Sequence, residues 1–488
     1  MTGTVDGALS RPTFDLAVIG AGAAGLTAAG AAAAIGAKTV LVEASVFGGD
    51  CTWHGCVPSK TLLRAAAAAA EVRSATRFGI DAEPHIDGAR VLARVRAIRD
   101  RIYAESDAPA VLGRYGFETI RARARFLDPH TLALDGVGPR TLTARRFVIA
   151  TGSAPQALDL GVPTVDTESI WEIERLPTHL LVVGGGPVAI EMAQAFRRLG
   201  AAVTIVVDAA RILARDDPAA AAVVDAALRA EGVTILTARR VESASYNDGV
   251  VTALLCDGTS VRADLVLVAI GRVARIDQLG LERAGVALRD GLVAVNSRCR
   301  TTVRHIYAAG DCATTSRFTH VAERMAVVSV MNGIVGIPTR FDPGSVTWTT
   351  FTAPELAQVG PTEAALRRIG RPYQAHTFPF ARLDRAIIDD TEAGFVTIFS
   401  NARGRVLGGT IVGARAGELI AEVALARARH LSINALAATL HVYPTYAMSV
   451  RRAADTWRIR ARTTPVLGAL RLLRGLRGTP PPLEVLLP

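Results

Sequence analysis

The sequence predicts an α/β protein with two Rossmann-like domains and a C-terminal α+β domain. A buried strand, a glycine-rich turn and a helix occur near the N-terminus and recur about 165 residues later. From about Val346 the sequence changes to alternating and β-branched stretches, followed by a predicted helix over 419–440. The 488 residues exceed what one core supports, so several domains are expected.

The first glycine-rich turn, Gly20-Ala-Gly22-Ala-Ala-Gly25, lies between a strand and a helix. Its first glycine permits a tight turn, its second lets the backbone approach a pyrophosphate, and its third lets the helix pack on the strand. The positive end of the helix then faces the phosphates. Glu43 ends the next strand and can accept hydrogen bonds from ribose hydroxyls. These residues predict a dinucleotide site.

The second turn has the same pattern and ends in alanine, which the motif allows: Gly184-Gly-Gly186-Pro-Val-Ala189. The strand that follows ends at Asp208. An acidic group there favours a ribose 2′-hydroxyl over a 2′-phosphate, which favours NADH slightly. Arg211 and Arg215 follow closely, so NADPH stays open.

The sharpest motif is the segment GGDCTWHGCVPSK over 48–60. Cys51 and Cys56 stand five apart at the start of a predicted helix, where they can close a small disulfide ring. A helix N-terminus lowers a thiol pKa, and Lys60 adds positive charge one turn later. Two cysteines are too few ligands for zinc and lack its usual spacing, so no metal site is expected. The alternative is a pair of buried, inert cysteines.

This segment resembles the class I pyridine nucleotide-disulfide oxidoreductases, the family of dihydrolipoamide dehydrogenase, glutathione reductase and mercuric reductase. The resemblance runs from about Phe14 to Trp457. Five further motifs follow in family order, over 150–152, 269–272, 310–311, 319–323 and 351–355. The resemblance implies an FAD-dependent enzyme in which NAD(P)H reduces the flavin and the flavin reduces the cysteine pair.

Roles for individual residues follow from the same resemblance. Cys51 would attack the substrate, and Cys56 would lie against the flavin. Lys60 would pair with Glu191 near the reactive end of the isoalloxazine. The implied cofactor contacts are Gly20, Gly22, Gly25, Glu43, Gly49, Lys60, Thr151, Gly152 and Asp311 for FAD, and Gly184, Gly186, Asp208 and Gly271 for NAD(P)H.

A C-terminal His-Glu dyad is usual in the family. Here the segment contains His441, and the glutamate position holds Met448. A carboxylate orients an imidazole and raises its pKa, so His441 is expected to be a differently tuned catalytic acid/base. The family supplies this base from the partner subunit, which implies a homodimer. His54, between the two cysteines, either stabilises a thiolate or points outward.

The sequence predicts five segments along the chain. Residues 1–155 form the first part of the FAD domain, 156–275 the NAD(P) domain, 276–345 the returning FAD segment, 346–462 the dimerisation domain, and 463–488 an Arg- and Pro-rich tail.

The amino-acid composition indicates whether nucleic acid or a membrane is an expected binding partner. The net charge is +10, yet lysine occurs only at Lys38 and Lys60, so arginine supplies the other 53 of 55 basic residues. No nucleic-acid motif is visible, which favours a solvated basic surface over a nucleic-acid footprint. The sparse, odd set of five cysteines and the lack of a leader predict a cytoplasmic protein. Residues 16–37 are uncharged, as in a membrane-spanning helix, but glycines divide them into a strand, a turn and a helix, so no membrane span is expected. Membrane association through the basic tail is a weak alternative.

The predicted acceptor is a small disulfide or another thiophilic molecule. Met448 disfavours dihydrolipoamide dehydrogenase, and Asp208 disfavours glutathione reductase, which uses NADPH. Mercuric-reductase-type metal-ion reduction is an alternative, although no cysteine follows Cys312. A slow-turnover redox sensor or interaction protein is another, supported by Met448 and the tail.

Overall fold

The computed structural model describes residues 12–136, 140–461 and 465–478, and it confirms the α/β class. The first domain pairs a parallel sheet with helices. Its elements are β1 (Phe14–Ile19), α1 (Ala23–Ala34), β2 (Thr39–Glu43), α2 (Gly49–Trp53), α3 (Cys56–Arg73), α4 (Gly88–Ile102), α5 (Pro109–Leu112), β3 (Glu118–Asp128), β4 (Thr131–Gly136), β5 (Thr141–Ile149) and β6 (Ser153–Pro155).

The second domain follows with the same alternation of strand and helix. Its elements are β7 (Val165–Asp166), β8 (His179–Val183), α6 (Pro187–Arg198), β9 (Ala202–Val207), α7 (Pro218–Ala230), β10 (Thr234–Thr237), β11 (Val241–Asn247), β12 (Val250–Leu255), β13 (Ser260–Ala263), β14 (Leu265–Val268) and β15 (Arg272–Ala274). Its main sheet is parallel in the order β10-β9-β8-β14-β7, and β11, β12 and β13 form a separate antiparallel sheet.

The chain then returns to the first domain and continues into the third. The returning elements are β16 (Leu288–Arg289), β17 (Leu292–Val293), β18 (Ile306–Ala308) and α8 (Thr319–Val330). The third domain contains β19 (Thr347–Thr350), β20 (Glu355–Val359), α9 (Glu363–Arg368), β21 (Gln374–Pro379), α10 (Asp384–Ile388), β22 (Phe395–Ser400), β23 (Val406–Gly413), α11 (Ala416–Ala428), α12 (Ile433–Ala438), α13 (Met448–Ala461) and α14 (Pro465–Leu473).

The first domain's sheet places its carboxyl edge at the cofactor motifs. β2, β1, β5 and β18 are parallel neighbours, and β3 extends the sheet beyond β2. Continuous apolar runs suit strands that are covered on both faces. Because β1, β5 and β18 end side by side, the glycine turn, Thr151 and Asp311 converge on one edge.

Two short strands join the first and second domains. β6 pairs antiparallel with β15, so the chain enters and leaves the second domain side by side. The predicted borders at 155/156 and 275/276 stay predictions, and this pair lies at both of them.

The third domain is an antiparallel sheet, β19-β20-β23-β22-β21, packed against helices. The predicted helix over 419–440 is instead two helices, α11 and α12. The break includes His430, whose φ of 55° is left-handed and cannot continue an α-helix. The predicted tail contains α14; the predictions for residues 463–464 and 479–488 lie outside the described residues. Among the residues described, none of the helices combines the length and apolar character needed to span a membrane.

Candidate active site

Backbone atoms pack closely around the first glycine turn and leave no space for a side chain at Gly20 or Gly25. Gly20 has a φ of 102°, and a Cβ there would lie 2.3 Å from the Ala150 carbonyl oxygen. A Cβ on Gly25 would lie 1.8 Å from the Gly20 oxygen, so the helix must pack directly on the turn. Gly49 has a φ of 63°, and its Cβ would meet the Gly22 Cα at 2.4 Å. The cysteine motif therefore packs against the dinucleotide loop.

Glu43 fixes this loop from the end of β2. One carboxylate oxygen accepts from the Ala21 N–H at 2.7 Å, and the other accepts from the Ser45 N–H at 2.8 Å. A carboxylate has about four acceptor positions, so capacity remains for ribose hydroxyls.

Buried polar atoms converge where β5 and β18 end. The Asp311 carboxylate accepts from the Ser153 hydroxyl at 2.6 Å, and burial raises the pKa of Asp311. Thr151 Oγ1 and Arg317 Nε are buried there without a hydrogen-bond partner among the described residues. Buried polar atoms are rarely left unpaired, so this cluster suits a hydroxyl-bearing cofactor chain. Together with the glycine loop, it fits FAD.

The two motif cysteines do not share one predicted helix: Cys51 lies within α2 and Cys56 begins α3. Both are free thiols in the structure. Cys56 is the first residue of α3, where the helix dipole favours a thiolate. A hydrogen bond from Cys51 lowers the pKa of Cys56 to about 6, against the opposing effect of burial. The same bond and burial raise the pKa of Cys51. These opposite shifts favour the thiolate form of Cys56 and the protonated form of Cys51.

Thr319 is a third partner of the cysteine pair. It is the first residue of α8, and its hydroxyl lies 3.7 Å from Cys56 Sγ. Its hydrogen bonding lowers the pKa of both thiols. Sequence reasoning identified 319–323 only as a motif; the hydroxyl at its start was the available signal.

Lys60 and Glu191 form an ion pair beside the thiols. Lys60 Nζ lies 2.8 Å from Glu191 Oε2, and Glu191 is only 3% exposed. The second Glu191 oxygen accepts from the Phe351 N–H at 2.9 Å, and Lys60 Nζ lies 4.5 Å from the Phe351 ring centroid. The charge on Lys60 lowers the pKa of Cys56, and the charge on Glu191 raises it. Phe351 opens the 351–355 motif, but the sequence did not predict these two contacts.

The His54 side chain contacts Asp50. Its Nδ1 lies 3.6 Å from Asp50 Oδ1, and both residues lie close to Glu168. These three could hold a metal, but Arg272 already donates to Asp50 at 3.1 Å and to Glu168 at 3.2 Å. Arg275 pairs with Glu168 as well. The two guanidinium groups supply the positive charge that these carboxylates require.

The second glycine turn leaves room above its backbone. Gly184 has a φ of 128°, and its Cβ would collide with the Ala269 oxygen at 2.3 Å. A Cβ on Gly186 would meet nothing within 4 Å, as expected where a pyrophosphate approaches. Gly271, with a φ of 137°, lies at the strand end nearby.

Asp208 and the two arginines that follow it differ in whether their side chains could contact a bound nucleotide. Asp208 is exposed at the end of β9. Arg211 donates to the carbonyl oxygens of 212, 213, 214 and 216, so its guanidinium is engaged in its own loop. Arg215 is exposed.

The C-terminal segment holds its histidine inward. The His441 side chain is 6% exposed, with Nε2 3.0 Å from a Glu422 oxygen and Nδ1 3.0 Å from the Thr439 oxygen. Glu422, on α11, thus gives His441 a carboxylate contact, while Met448, at the usual glutamate position, is buried. Tyr443 precedes a cis proline and is 64% exposed. Sequence reasoning missed both Glu422 and Tyr443.

Comparison with known families identifies the scaffold. Residues 14–326 match the family described as pyridine nucleotide-disulphide oxidoreductase, and residues 346–454 match the dimerisation domain of that family. The chain belongs to this family. The resemblance drawn from the cysteine motif is confirmed, and the protein is an NAD(P)H-dependent flavoprotein disulfide oxidoreductase. It carries the domain through which the family forms homodimers.

Several relatives match almost end to end. A mercuric reductase from Streptomyces lividans is 35% identical over 457 residues, covering 91% of this chain and 96% of that protein. A dihydrolipoyl dehydrogenase from Thermus scotoductus is 35% identical over 459 residues, covering 91% and 97%. Among solved structures, LpdA from Mycobacterium tuberculosis has a TM-score of 0.84 at 29% identity, covering 91% of this chain and 99% of that one. The flavoprotein disulfide reductase RclA from Escherichia coli has a TM-score of 0.78 at 25% identity, with the same coverage.

Proposed function

We propose that the enzyme uses NADH, FAD and the Cys51–Cys56 pair to reduce a small disulfide or another thiophilic acceptor. One observation carries the proposal: a thiolate-prone Cys56, its thiol partner Cys51 and the Lys60–Glu191 ion pair lie together directly behind the dinucleotide loop. No other pair of cysteines in the described residues has such surroundings, since Cys299 and Cys312 are buried and Cys256 is isolated on the surface.

FAD would be held by the first glycine loop, by Glu43 and by the cluster around Thr151 and Asp311. When bound, it supplies a two-electron relay between the nicotinamide and the thiols. The side chains contribute charge and position. Lys60 adds positive charge beside Cys56, Glu191 holds Lys60, and the Phe351 N–H holds Glu191.

The sulfur chemistry then proceeds by exchange. The Cys51 thiolate attacks one sulfur of a disulfide acceptor and forms a mixed disulfide, releasing the first thiol. The Cys56 thiolate attacks Cys51 Sγ, which re-forms the Cys51–Cys56 disulfide and releases the second thiol. Two electrons and two protons reach the acceptor. Cys51 must lose its proton first, because its pKa is raised in the pair.

The catalytic acid/base role of His441 stays a prediction. Glu422 supports it by orienting the imidazole as the usual dyad glutamate would. Serving a thiol of the partner subunit would require Nδ1 to leave the Thr439 oxygen, while Nε2 could keep its contact with Glu422. Tyr443, two residues later, is 64% exposed and its hydroxyl hydrogen-bonds Asp384, which makes a pair of matched variants informative.

The preference for NADH rests on two neighbouring side chains. The Asp208 carboxylate would repel a 2′-phosphate, and Arg211 has donated its N–H groups to its own loop. We expect kcat/KM for NADH to exceed that for NADPH. Asp208→Asn should narrow the ratio, whereas Arg229→Gln, on α7, should leave it unchanged. A native enzyme faster with NADPH would refute the preference.

Steady-state kinetics with lipoamide, glutathione disulfide, Hg²⁺ and a quinone tests the proposed acceptor class. A thiophilic acceptor should be reduced by the native enzyme, and Cys56→Ser should abolish that turnover while FAD stays bound. Persisting turnover of those acceptors in Cys56→Ser would overturn the proposal. Cys256→Ser is the matched control, because Cys256 is exposed and distant in sequence from the pair.

A further inference from the structure

A second concave site lies on the first domain, away from the cofactor edge of its sheet. β5 and β18 deliver Thr151 and Asp311 to the dinucleotide site at their carboxyl ends. Arg146 and Tyr307 lie earlier on the same two strands. At about 3.3 Å per residue, Arg146 and Thr151 are roughly 17 Å apart along β5. The second site is therefore separate from the first dinucleotide site, and its lining includes no residue of either glycine loop.

We call this site the arginine hollow. It is an open depression with a volume of about 510 Å³, and the arginines that line it are Arg145, Arg146, Arg300 and Arg304. The described residues place no carboxylate within ion-pair distance of Arg146, Arg300 or Arg304, while Arg145 lies 3.4 Å from Asp15. Four guanidinium groups thus face one cavity with a single carboxylate beside them.

Several other arginines in the described residues form ion pairs with carboxylates, unlike Arg146, Arg300 and Arg304. Arg198 pairs with Glu231 at 2.6 Å, Arg229 with Asp225 at 2.7 Å, and Arg275 with Glu168 at 2.7 Å. Positive charges that converge without counter-charge raise the free energy of the folded protein. A bound anion would remove that cost.

The floor of the hollow is rigid. The ring of Tyr307 is buried and packs on Gly333, where a Cβ would lie only 3.0 Å from Tyr307 Cε2. His305 stacks on His130 with ring centroids 4.0 Å apart, and its Nε2 lies 2.7 Å from the Pro129 oxygen. Burial, together with repulsion from His130 and Arg146, lowers the pKa of His305. Because these side chains are already held in place, they lose little conformational entropy when a ligand binds.

We propose that the arginine hollow binds a small polyanion carrying two or more phosphate groups. Guanidinium groups bind phosphate oxygens bidentately, and several such forks match several phosphates. The volume lies within the range of small-ligand sites, whereas a duplex would need an extended basic face. The phenolic hydroxyl of Tyr307 adds a neutral donor at the base of the cavity.

Calorimetric titration with inorganic pyrophosphate tests the proposal on FAD-loaded enzyme saturated with NAD⁺, which occupies the other phosphate sites. We expect one site per chain. Arg300→Gln/Arg304→Gln should weaken binding at least roughly tenfold, because each charge-assisted hydrogen bond is lost. Arg289→Gln, an exposed arginine of the same segment outside the hollow, should bind as the native protein does.

A second measurement guards against a folding defect in the double variant. Pyrophosphate should raise the pKa of His305 in the native protein, as followed by histidine NMR, because a bound anion favours imidazolium. Absence of pyrophosphate binding to the native protein at millimolar concentration would overturn the proposal. Equal affinity in the double variant would do the same. Binding of a DNA duplex that requires Arg300 and Arg304, without binding of pyrophosphate, would replace it with a nucleic-acid face.

Discussion

Removing the charge of Lys60 and removing the charge of Glu191 should shift the pKa of Cys56 in opposite directions. Lys60 lowers the pKa of Cys56 and Glu191 raises it, so Lys60→Met should raise that pKa and Glu191→Gln should lower it further. Glutamine keeps the shape of Glu191 and an oxygen for the Phe351 N–H, which makes it the conservative choice.

The size of the shift follows from geometry. Lys60 and Cys56 are four residues apart on α3, which places their side chains about 6 Å apart. At an effective dielectric constant of about 20, Coulomb's law gives roughly 2.8 kcal/mol. The Lys60 side chain is 37% exposed, so solvent screening should reduce this by about half. The expected shift is therefore about one pKa unit.

The rate of iodoacetamide alkylation at Cys56, measured against pH on the reduced enzyme and mapped by mass spectrometry, gives the thiolate fraction directly. In the native protein the rate should be half-maximal near pH 6, matching the depressed pKa of about 6, and should rise with pH. The midpoint should move up in Lys60→Met and down in Glu191→Gln. Unchanged midpoints, or shifts of the same sign in both variants, would refute the electrostatic account.

Three further predictions use other contacts of the site. Thr319→Ala should raise the alkylation midpoint of Cys56 because it removes a hydrogen bond to the thiolate, while Thr319→Ser should retain the native midpoint; a normal midpoint in Thr319→Ala would exclude this role. Gly49→Ala should reduce FAD retention and lower the melting temperature, because φ is 63° and the new Cβ would meet backbone at 2.4 Å; native FAD content at unchanged stability would contradict the packing argument. If His441 is the acid/base, His441→Gln should reduce kcat with disulfide acceptors by roughly 10²-fold and flatten the dependence of kcat on pH. Tyr443→Phe should leave kcat and its pH dependence near native. The reverse pattern would assign proton transfer to Tyr443.

The local parts of the site could be predicted from the sequence because their geometry is encoded over short spans. The positive φ of Gly20 and the packing of Gly25 on that turn follow from the spacing of the glycine motif. The placement of Cys56 at a helix N-terminus follows from the cysteine motif itself.

The remaining contacts join segments that are distant in sequence. Thr319 reaches Cys56 across 263 residues, and Arg272 reaches Asp50 across 222. These contacts exist only because β5, β15 and β18 bring separate segments to one edge. Glu422 lies on α11 and contacts His441 from another element, so the spacing between His441 and Met448 gave no sign of it. The helical periodicity over 419–440 likewise concealed the left-handed turn at His430.

The central claim is that Cys51 and Cys56 cycle between disulfide and dithiol when NADH reduces the enzyme. Differential alkylation of the FAD-loaded enzyme under anaerobic conditions, before and after one equivalent of NADH, measures this at each cysteine. The account predicts that Cys51 and Cys56 become labelled only after NADH, with Cys299 and Cys312 unchanged. Equal labelling of the pair before and after reduction would contradict it.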